Sequence, residues 1–99
     1  MIDLLSEIYV DLNELVIRRI PHDKEILSTR IIKEHTKICE YCFNIKNSNK
    51  DKNYMLEFKV SIKYILFILN YFVSKKIINN NIYKIIEKEY KDLYYIINP

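Results

Sequence analysis

The chain has 99 residues and a formal charge of +3, and it contains no glycine and only two prolines, Pro21 and Pro99. Because glycine adopts positive φ at low cost, its absence excludes glycine-rich phosphate-binding loops and most tight β-hairpins. The length suits one domain, residues 1–99, and an apolar content of 49% is enough to build its core. These properties predict an all-α fold.

A first helix is predicted over residues 3–19, because apolar side chains recur there at the spacing of one helical face. These are Leu5, Ile8, Leu12 and Leu15. Pro21 ends this helix, since proline disfavours helical geometry in the residue before it. A second helix is predicted over residues 22–47. Its stripe consists of Leu27, Ile31, Ile38, Cys42 and Ile45, widened by Ile32, Cys39 and Phe43.

The run between Asn47 and Asn53 has no apolar residue and is predicted to be a solvated loop. A third helix is predicted over residues 54–78. Its stripe consists of Met55, Phe58, Ile62, Ile65, Leu69 and Phe72, and Leu66, Phe67 and Val73 add further apolar surface. Because its second half is apolar nearly all round, this helix is expected either to lie centrally in a bundle or to be shared with a neighbouring subunit.

Asn79, Asn80 and Asn81 predict a break, because asparagine tolerates left-handed geometry and caps helix starts. A fourth helix is predicted over residues 80–97. Its inward-facing residues are Ile82, Ile86, Tyr90, Leu93 and Ile97. Short connections require consecutive helices to run in opposite directions, so an antiparallel up-down-up-down four-helix bundle is expected.

The longest uncharged stretch, Tyr64 to Ser74, is 11 residues long, well short of the roughly 20 residues that cross a bilayer. Near the start of the chain, Asp3 and Glu7 stand where a secretory signal would carry basic residues. We therefore expect a cytoplasmic protein without a membrane partner. In that compartment the two cysteines are expected to be free thiols.

His35, Cys39 and Cys42 share one helical face and form a zinc-compatible set. A fourth ligand is not evident, and the Cys-x-x-Cys pair lies far from the helix N-terminus that lowers the pKa of redox thiols. The sequence therefore favours core thiols beside a hydrogen-bonded histidine over a metal or redox site, and no cofactor is predicted. The serines and carboxylates fit no catalytic motif, so an enzyme is not expected.

Basic residues recur on the outer faces of two predicted helices. They are Arg30, Lys33 and Lys37 on the second helix and Lys59 and Lys63 on the third, with Lys46, Lys50 and Lys52 near the joining loop. If the two helices are adjacent, these side chains are able to merge into one patch that contacts phosphates. From charge alone, an ordinary solvated lysine surface is the favoured interpretation.

The order of features resembles a family of small four-helix-bundle proteins. The resemblance is carried by Arg18-Arg19-Ile20-Pro21 at the end of the first helix, Arg30-Ile31 in the second, Leu56-Glu57-Phe58 in the third and the turn Ile77-Ile78-Asn79-Asn80-Asn81-Ile82-Tyr83. The family includes the accessory variability determinant of diversity-generating retroelements and proteins encoded in ribosomal RNA intervening sequences. Pro21, Asn79 and Tyr83 match its punctuating positions.

The resemblance implies a non-catalytic homo-oligomer, a pentameric barrel, that binds a reverse transcriptase and the backbone of RNA or DNA. Arg30, Lys33, Lys37, Lys59 and Lys63 would then contact phosphates or acidic patches on the polymerase. The alternative is a structural or protein-interaction bundle, including the ribosomal intervening-sequence type, with no reverse transcriptase partner. Steep salt dependence of binding would separate the two, since it reports counterion release from phosphates.

Overall fold

Four α-helices and a short 3₁₀ turn account for most of residues 1–48 and 52–98, which are the residues that the computed structural model describes. The helices are α1 (Ile2–Arg18), α2 (Glu25–Ser48), α3 (Lys52–Ser74) and α4 (Asn80–Ile97), and the 3₁₀ turn His22–Lys24 precedes α2. No strand occurs in the described ranges, so the all-α prediction is confirmed. The predicted loop at 47–53 is shorter than expected, since Ser48 and Lys52 are helical, and residues 49–51 lie outside the described residues.

The helices pack around one core to which each of them contributes. The radius of gyration is 13.4 Å, close to the roughly 13 Å expected of a compact domain of this length. Fully buried members include Ile8 and Leu12 from α1, Ile31 and Ile38 from α2, Phe58, Ile65, Leu69 and Phe72 from α3, and Ile86, Tyr90 and Leu93 from α4. Phe43, which was predicted to widen the stripe of α2, is instead exposed.

The link between α1 and α2 follows from its proline. The backbone N–H groups of Arg19 and Ile20 both donate to the carbonyl of Leu15, at 2.9 and 3.0 Å, which closes the last turn of α1. Pro21 is extended at φ −62° and ψ 152°, and the next residues form the 3₁₀ turn. Ile20 is buried, so the link itself covers one end of the core.

The end of α3 differs from the prediction, which extended it to residue 78. The helix ends at Ser74, and Lys76 adopts left-handed geometry with φ 60°. The N–H of Ile77 donates to the carbonyl of Phe72 at 2.9 Å and that of Lys76 to Val73 at 3.0 Å, the pattern of a Schellman motif. The early stop turns the chain back, and this places Ile78 in the core.

Asn79 caps the following helix as predicted. Its side-chain oxygen accepts a hydrogen bond from the backbone N–H of Ile82 at 2.9 Å, and its backbone is extended. The cap satisfies one of the amide groups that a helix start leaves unpaired, so α4 can begin one residue later.

Replacing Lys76 by glycine is expected to stabilise the protein by about 0.5–1 kcal/mol, because a side chain with a Cβ pays for left-handed geometry that glycine adopts freely. Urea unfolding measures the change in the free energy of unfolding. Lys76→Ala is the matched control, since it removes the same charge and keeps the Cβ. Equal stability of the two variants would contradict the backbone explanation.

Candidate nucleic-acid interface

Lys59 and Lys63 lie beside α4, in a groove of about 400 Å³ between α3 and α4. The groove is lined by Lys59, Ile62, Lys63, Leu66, Glu87, Tyr90, Lys91, Tyr94 and Tyr95. The Nζ atom of Lys59 is 5.4 Å from the centre of the Tyr94 ring, a cation–π distance. Hydrogen bonds from Lys59 and Asn98 lower the pKa of the Tyr94 hydroxyl.

The fourth helix adds lysines that the sequence analysis did not single out. Lys84, Lys88 and Lys91 are exposed, and their spacings of four and three residues place them on one stripe of α4. Lys91 lines the groove, where its Nζ lies 3.8 Å from Oε1 of Glu87. We call the set Lys59, Lys63, Lys84, Lys88 and Lys91 the α3/α4 basic face. The lysine spacing was the signal that would have identified it.

The three predicted basic residues of α2 lie outside the α3/α4 groove. Arg30 donates from Nε to the hydroxyl of Tyr64 on α3 at 3.2 Å, and this bond raises the pKa of the guanidinium. Lys37 pairs with Glu34 of its own helix at 3.5 Å. Lys33 is exposed at the rim of a groove between α1 and α2. Of the five predicted cations, Lys59 and Lys63 line the α3/α4 groove and the three of α2 do not, and the merging of all five into one patch stays a prediction.

The outer surface of α3 also carries large exposed apolar side chains. Leu56, Val60 and Phe67 are 62%, 56% and 74% exposed, and their spacings of four and seven residues align them along the helix. We call these residues the α3 apolar row. Large apolar side chains exposed along one helix face are typical of a protein interaction surface.

The flank of α4 that faces α1 is acidic. Burial raises the pKa of Glu89 to about 8, and Asp11, Glu7 and Asp92 add to the shift through their negative charge. In the described part of the chain, the Oε1 atom of Glu89 is buried without a hydrogen-bond partner. This flank repels polyanions, so the two sides of α4 have opposite electrostatic character.

His35 is buried and joins three helices. Its Nε2 atom lies 3.1 Å from the carbonyl oxygen of Leu5 in α1, and its Nδ1 atom lies 2.8 Å from the hydroxyl of Tyr90 in α4. Because a carbonyl oxygen only accepts hydrogen bonds, Nε2 carries the proton and Nδ1 accepts from the Tyr90 hydroxyl. Desolvation lowers the pKa of His35, which keeps the ring neutral at neutral pH.

The two cysteines are free thiols. Burial raises the pKa of Cys39 and raises that of Cys42 to about 12, so both sulfurs stay protonated and are poor nucleophiles. Cys39 Sγ lies 3.7 Å from Nε2 of His35. Within residues 1–48 and 52–98, no three His, Cys, Asp or Glu side chains are grouped to hold a metal ion.

Comparison of the chain with protein-family models, with curated proteins and with solved structures finds no significant match. In the described residues, no helix combines the length and the apolar character needed to cross a membrane.

Glu89→Gln is expected to stabilise the protein at pH 8.5 by about 1–2 kcal/mol, and less as the pH falls toward 4.5. The folded chain holds a proton on Glu89 that the unfolded chain releases above pH 4.5, so wild-type stability falls as the pH rises toward 8. Glutamine mimics the protonated form. His35 has the opposite sign: its lowered pKa makes stability fall as the pH drops below 6.5.

Urea unfolding at pH 5, 7 and 8.5 measures both effects. In the Glu89→Gln protein the His35 effect is expected to be unmasked as a loss of stability between pH 7 and pH 5. Glu40→Gln, which removes an exposed carboxylate of α2, is the control and should follow the wild type. If the wild type and Glu89→Gln have the same free energy of unfolding at pH 8.5, ionisation of Glu89 does not destabilise the folded chain, and the prediction is wrong.

Proposed function

We propose that this protein is a non-catalytic, cytoplasmic accessory protein that binds nucleic acid and a reverse transcriptase, as in diversity-generating retroelements. The α3/α4 basic face is the observation that carries the proposal. Lys59, Lys63 and Lys91 line its groove together with one carboxylate, Glu87, and Lys84 and Lys88 continue the stripe along α4. Lysines that neutralise phosphates release counterions, and this release drives most sequence-independent binding of nucleic acids.

The contacts support the antiparallel up-down-up-down arrangement of the four helices. Ile2, at the start of α1, lines one pocket with Phe43 and Lys46, late in α2. The ring of Tyr41 in α2 lies with its centre 6.4 Å from the centre of the Tyr54 ring, at the start of α3. Phe58 of α3 lies 6.2 Å from Tyr94, near the end of α4. Each pair joins the early part of one helix to the late part of its neighbour.

The exposed basic residues of α2, Arg30 and Lys33, support a second partner. Arg30 and Lys33 are exposed and do not line the α3/α4 groove, so a nucleic acid bound in that groove leaves them accessible. Acidic patches on a polymerase are a suitable partner for such cations. A protein with two separate basic surfaces is suited to hold a template near its polymerase.

The α3 apolar row supports self-association. Contact of its exposed apolar side chains with water is unfavourable. Burying these side chains between copies of the chain would therefore stabilise an assembly. The pentameric barrel implied by the family resemblance is the oligomer that we propose. The structural or interaction bundle, without a polymerase, remains the alternative function, and the same row favours it.

Charge reversal of Lys59 and Lys63 to glutamate is expected to weaken binding of a fluorescein-labelled RNA at least tenfold in 50 mM salt, because attraction to phosphates is replaced by repulsion. Fluorescence anisotropy across 50 to 200 mM salt measures the affinity and its salt dependence. The same double variant is then tested for capture of a purified retroelement reverse transcriptase.

Lys75 and Lys76 changed to glutamate provide the control, since the net charge is the same and both residues lie at the end of the bundle away from the groove. This control should bind RNA nearly as well as the wild type. If the Lys59 and Lys63 double variant binds both RNA and the polymerase as well as the wild type does, the assignment of these two lysines to the binding surface is wrong. Salt-insensitive association with proteins alone would establish the alternative.

Phe67→Ser is expected to dissociate the oligomer without unfolding the chain, because Phe67 is 74% exposed and contributes little to the core. Light scattering gives the absolute mass, and circular dichroism reports the helix content. Ile26→Ser is the matched control, since Ile26 is 86% exposed and lies outside the row. A wild-type protein that is monomeric at micromolar concentration would refute self-association through this surface.

A further inference from the structure

The α3/α4 groove combines an apolar floor with a basic rim. Ile62, Leu66 and Tyr90 line it together with Lys59, Lys63 and Lys91. A flat, charged surface would suffice to contact the phosphates of a duplex. The apolar floor adds a place for a flat, weakly solvated group close to the cations.

Two tyrosines lie at one end of this groove, and they differ in how far their contacts within the protein cover them. Tyr94 is fully engaged: its ring stacks on Phe58 at an interplanar angle of 20°, Lys59 lies over it, and Asn98 donates to its hydroxyl at 3.0 Å. Tyr95 packs edge-on against Tyr94 at 6.1 Å and is 67% exposed. The fixed ring of Tyr94 therefore holds Tyr95 at the mouth of the groove while most of Tyr95 faces solvent.

An exposed aromatic ring beside several lysines is the arrangement by which proteins bind unpaired nucleotides. Bases stack on aromatic rings, and cations contact the neighbouring phosphates. A duplex keeps its bases stacked on one another, so it has no free base for Tyr95 or for the apolar floor. Charge excludes the opposite flank of α4, where Asp11, Glu7 and Asp92 surround Glu89 and repel phosphates.

We propose that the α3/α4 groove binds single-stranded nucleic acid, with one base stacked on Tyr95 and the adjacent phosphates held by Lys59, Lys63 and Lys91. This inference rests on the proposed nucleic-acid function and specifies its ligand as an unpaired strand. Lys84 and Lys88 extend the basic stripe along α4 and provide a path for the strand beyond the groove. An unpaired strand is also the form in which a template is copied.

The test measures anisotropy with four labelled probes in 50 mM salt: a 12-nucleotide oligouridylate, a 12-nucleotide oligothymidylate, a 12-base-pair duplex and polyglutamate. Both single strands are expected to bind at least tenfold more tightly than the duplex. Tyr95→Leu should weaken single-strand binding about 5- to 150-fold, the range for loss of one base–aromatic stack. Its effect on duplex binding should be less than twofold.

Tyr95→Phe should retain binding, since the ring is what stacks. Tyr9→Leu is the matched control, because Tyr9 is an exposed tyrosine of α1 outside the groove. Tighter binding of uridylate or of thymidylate would support the inference and identify RNA or DNA as the strand. Helix content measured by circular dichroism verifies that each variant is folded.

Equal affinity for duplex and single strands, or an equal loss of both in Tyr95→Leu, would overturn this inference and leave the nucleic-acid function standing. If none of the nucleic acids binds in 50 mM salt, the inference and the proposed function fail together. Polyglutamate that binds as tightly as the oligonucleotides would also overturn the inference, since the groove would then recognise acidic protein segments.

Discussion

The hydrogen-bonded histidine at the centre of the bundle fixes how three of its helices meet. His35 on α2 reaches Leu5 on α1 through one ring nitrogen and Tyr90 on α4 through the other. Each bond requires one donor and one acceptor in a low-dielectric interior, so a rotation of any of these helices would leave a buried polar group unpaired. Apolar packing tolerates small shifts, whereas this pair of bonds defines one register.

The position of α4 follows from this constraint and determines the electrostatics of the surface. With Tyr90 held toward His35, Glu89 turns to α1 and Lys91 turns to α3. One flank of α4 therefore presents carboxylates crowded against Asp11, and the other presents lysines beside Lys59 and Lys63. Although the chain carries only +3 overall, this separation gives it one strongly basic side.

Much of the fold could be predicted because helical periodicity depends on local sequence. The bounds of α4 and the cap at Asn79 were predicted correctly. The end of α3 was not, because the apolar residues Ile77 and Ile78 continue the helical pattern while the chain has already turned at Lys76. No residue there signals left-handed geometry, and the turn is stabilised by burial of Ile78, a tertiary effect that local sequence does not reveal.

The candidate site was less predictable, because it depends on which face of each helix meets which neighbour. Lys59 and Lys63 were chosen from the sequence, but their partners Tyr94 and Lys91 belong to a helix that starts about twenty residues later in the chain. Arg30, which was predicted alongside them, bonds to Tyr64 of α3 and does not line the groove. A helix side chain is assigned to a groove only when the packing of the neighbouring helices is known.

Separation of core from surface positions along α3 allows this 23-residue helix to present several surfaces while it holds the core. Phe58, Ile65 and Phe72 are fully buried, while Lys59, Lys63 and Phe67 on the same helix are exposed. Because successive residues are about 100° apart around the helix, the outer residues can change without opening cavities in the core. Loss of binding in a variant of an outer residue would therefore be caused by the altered surface, because the fold and the other surfaces would be unchanged.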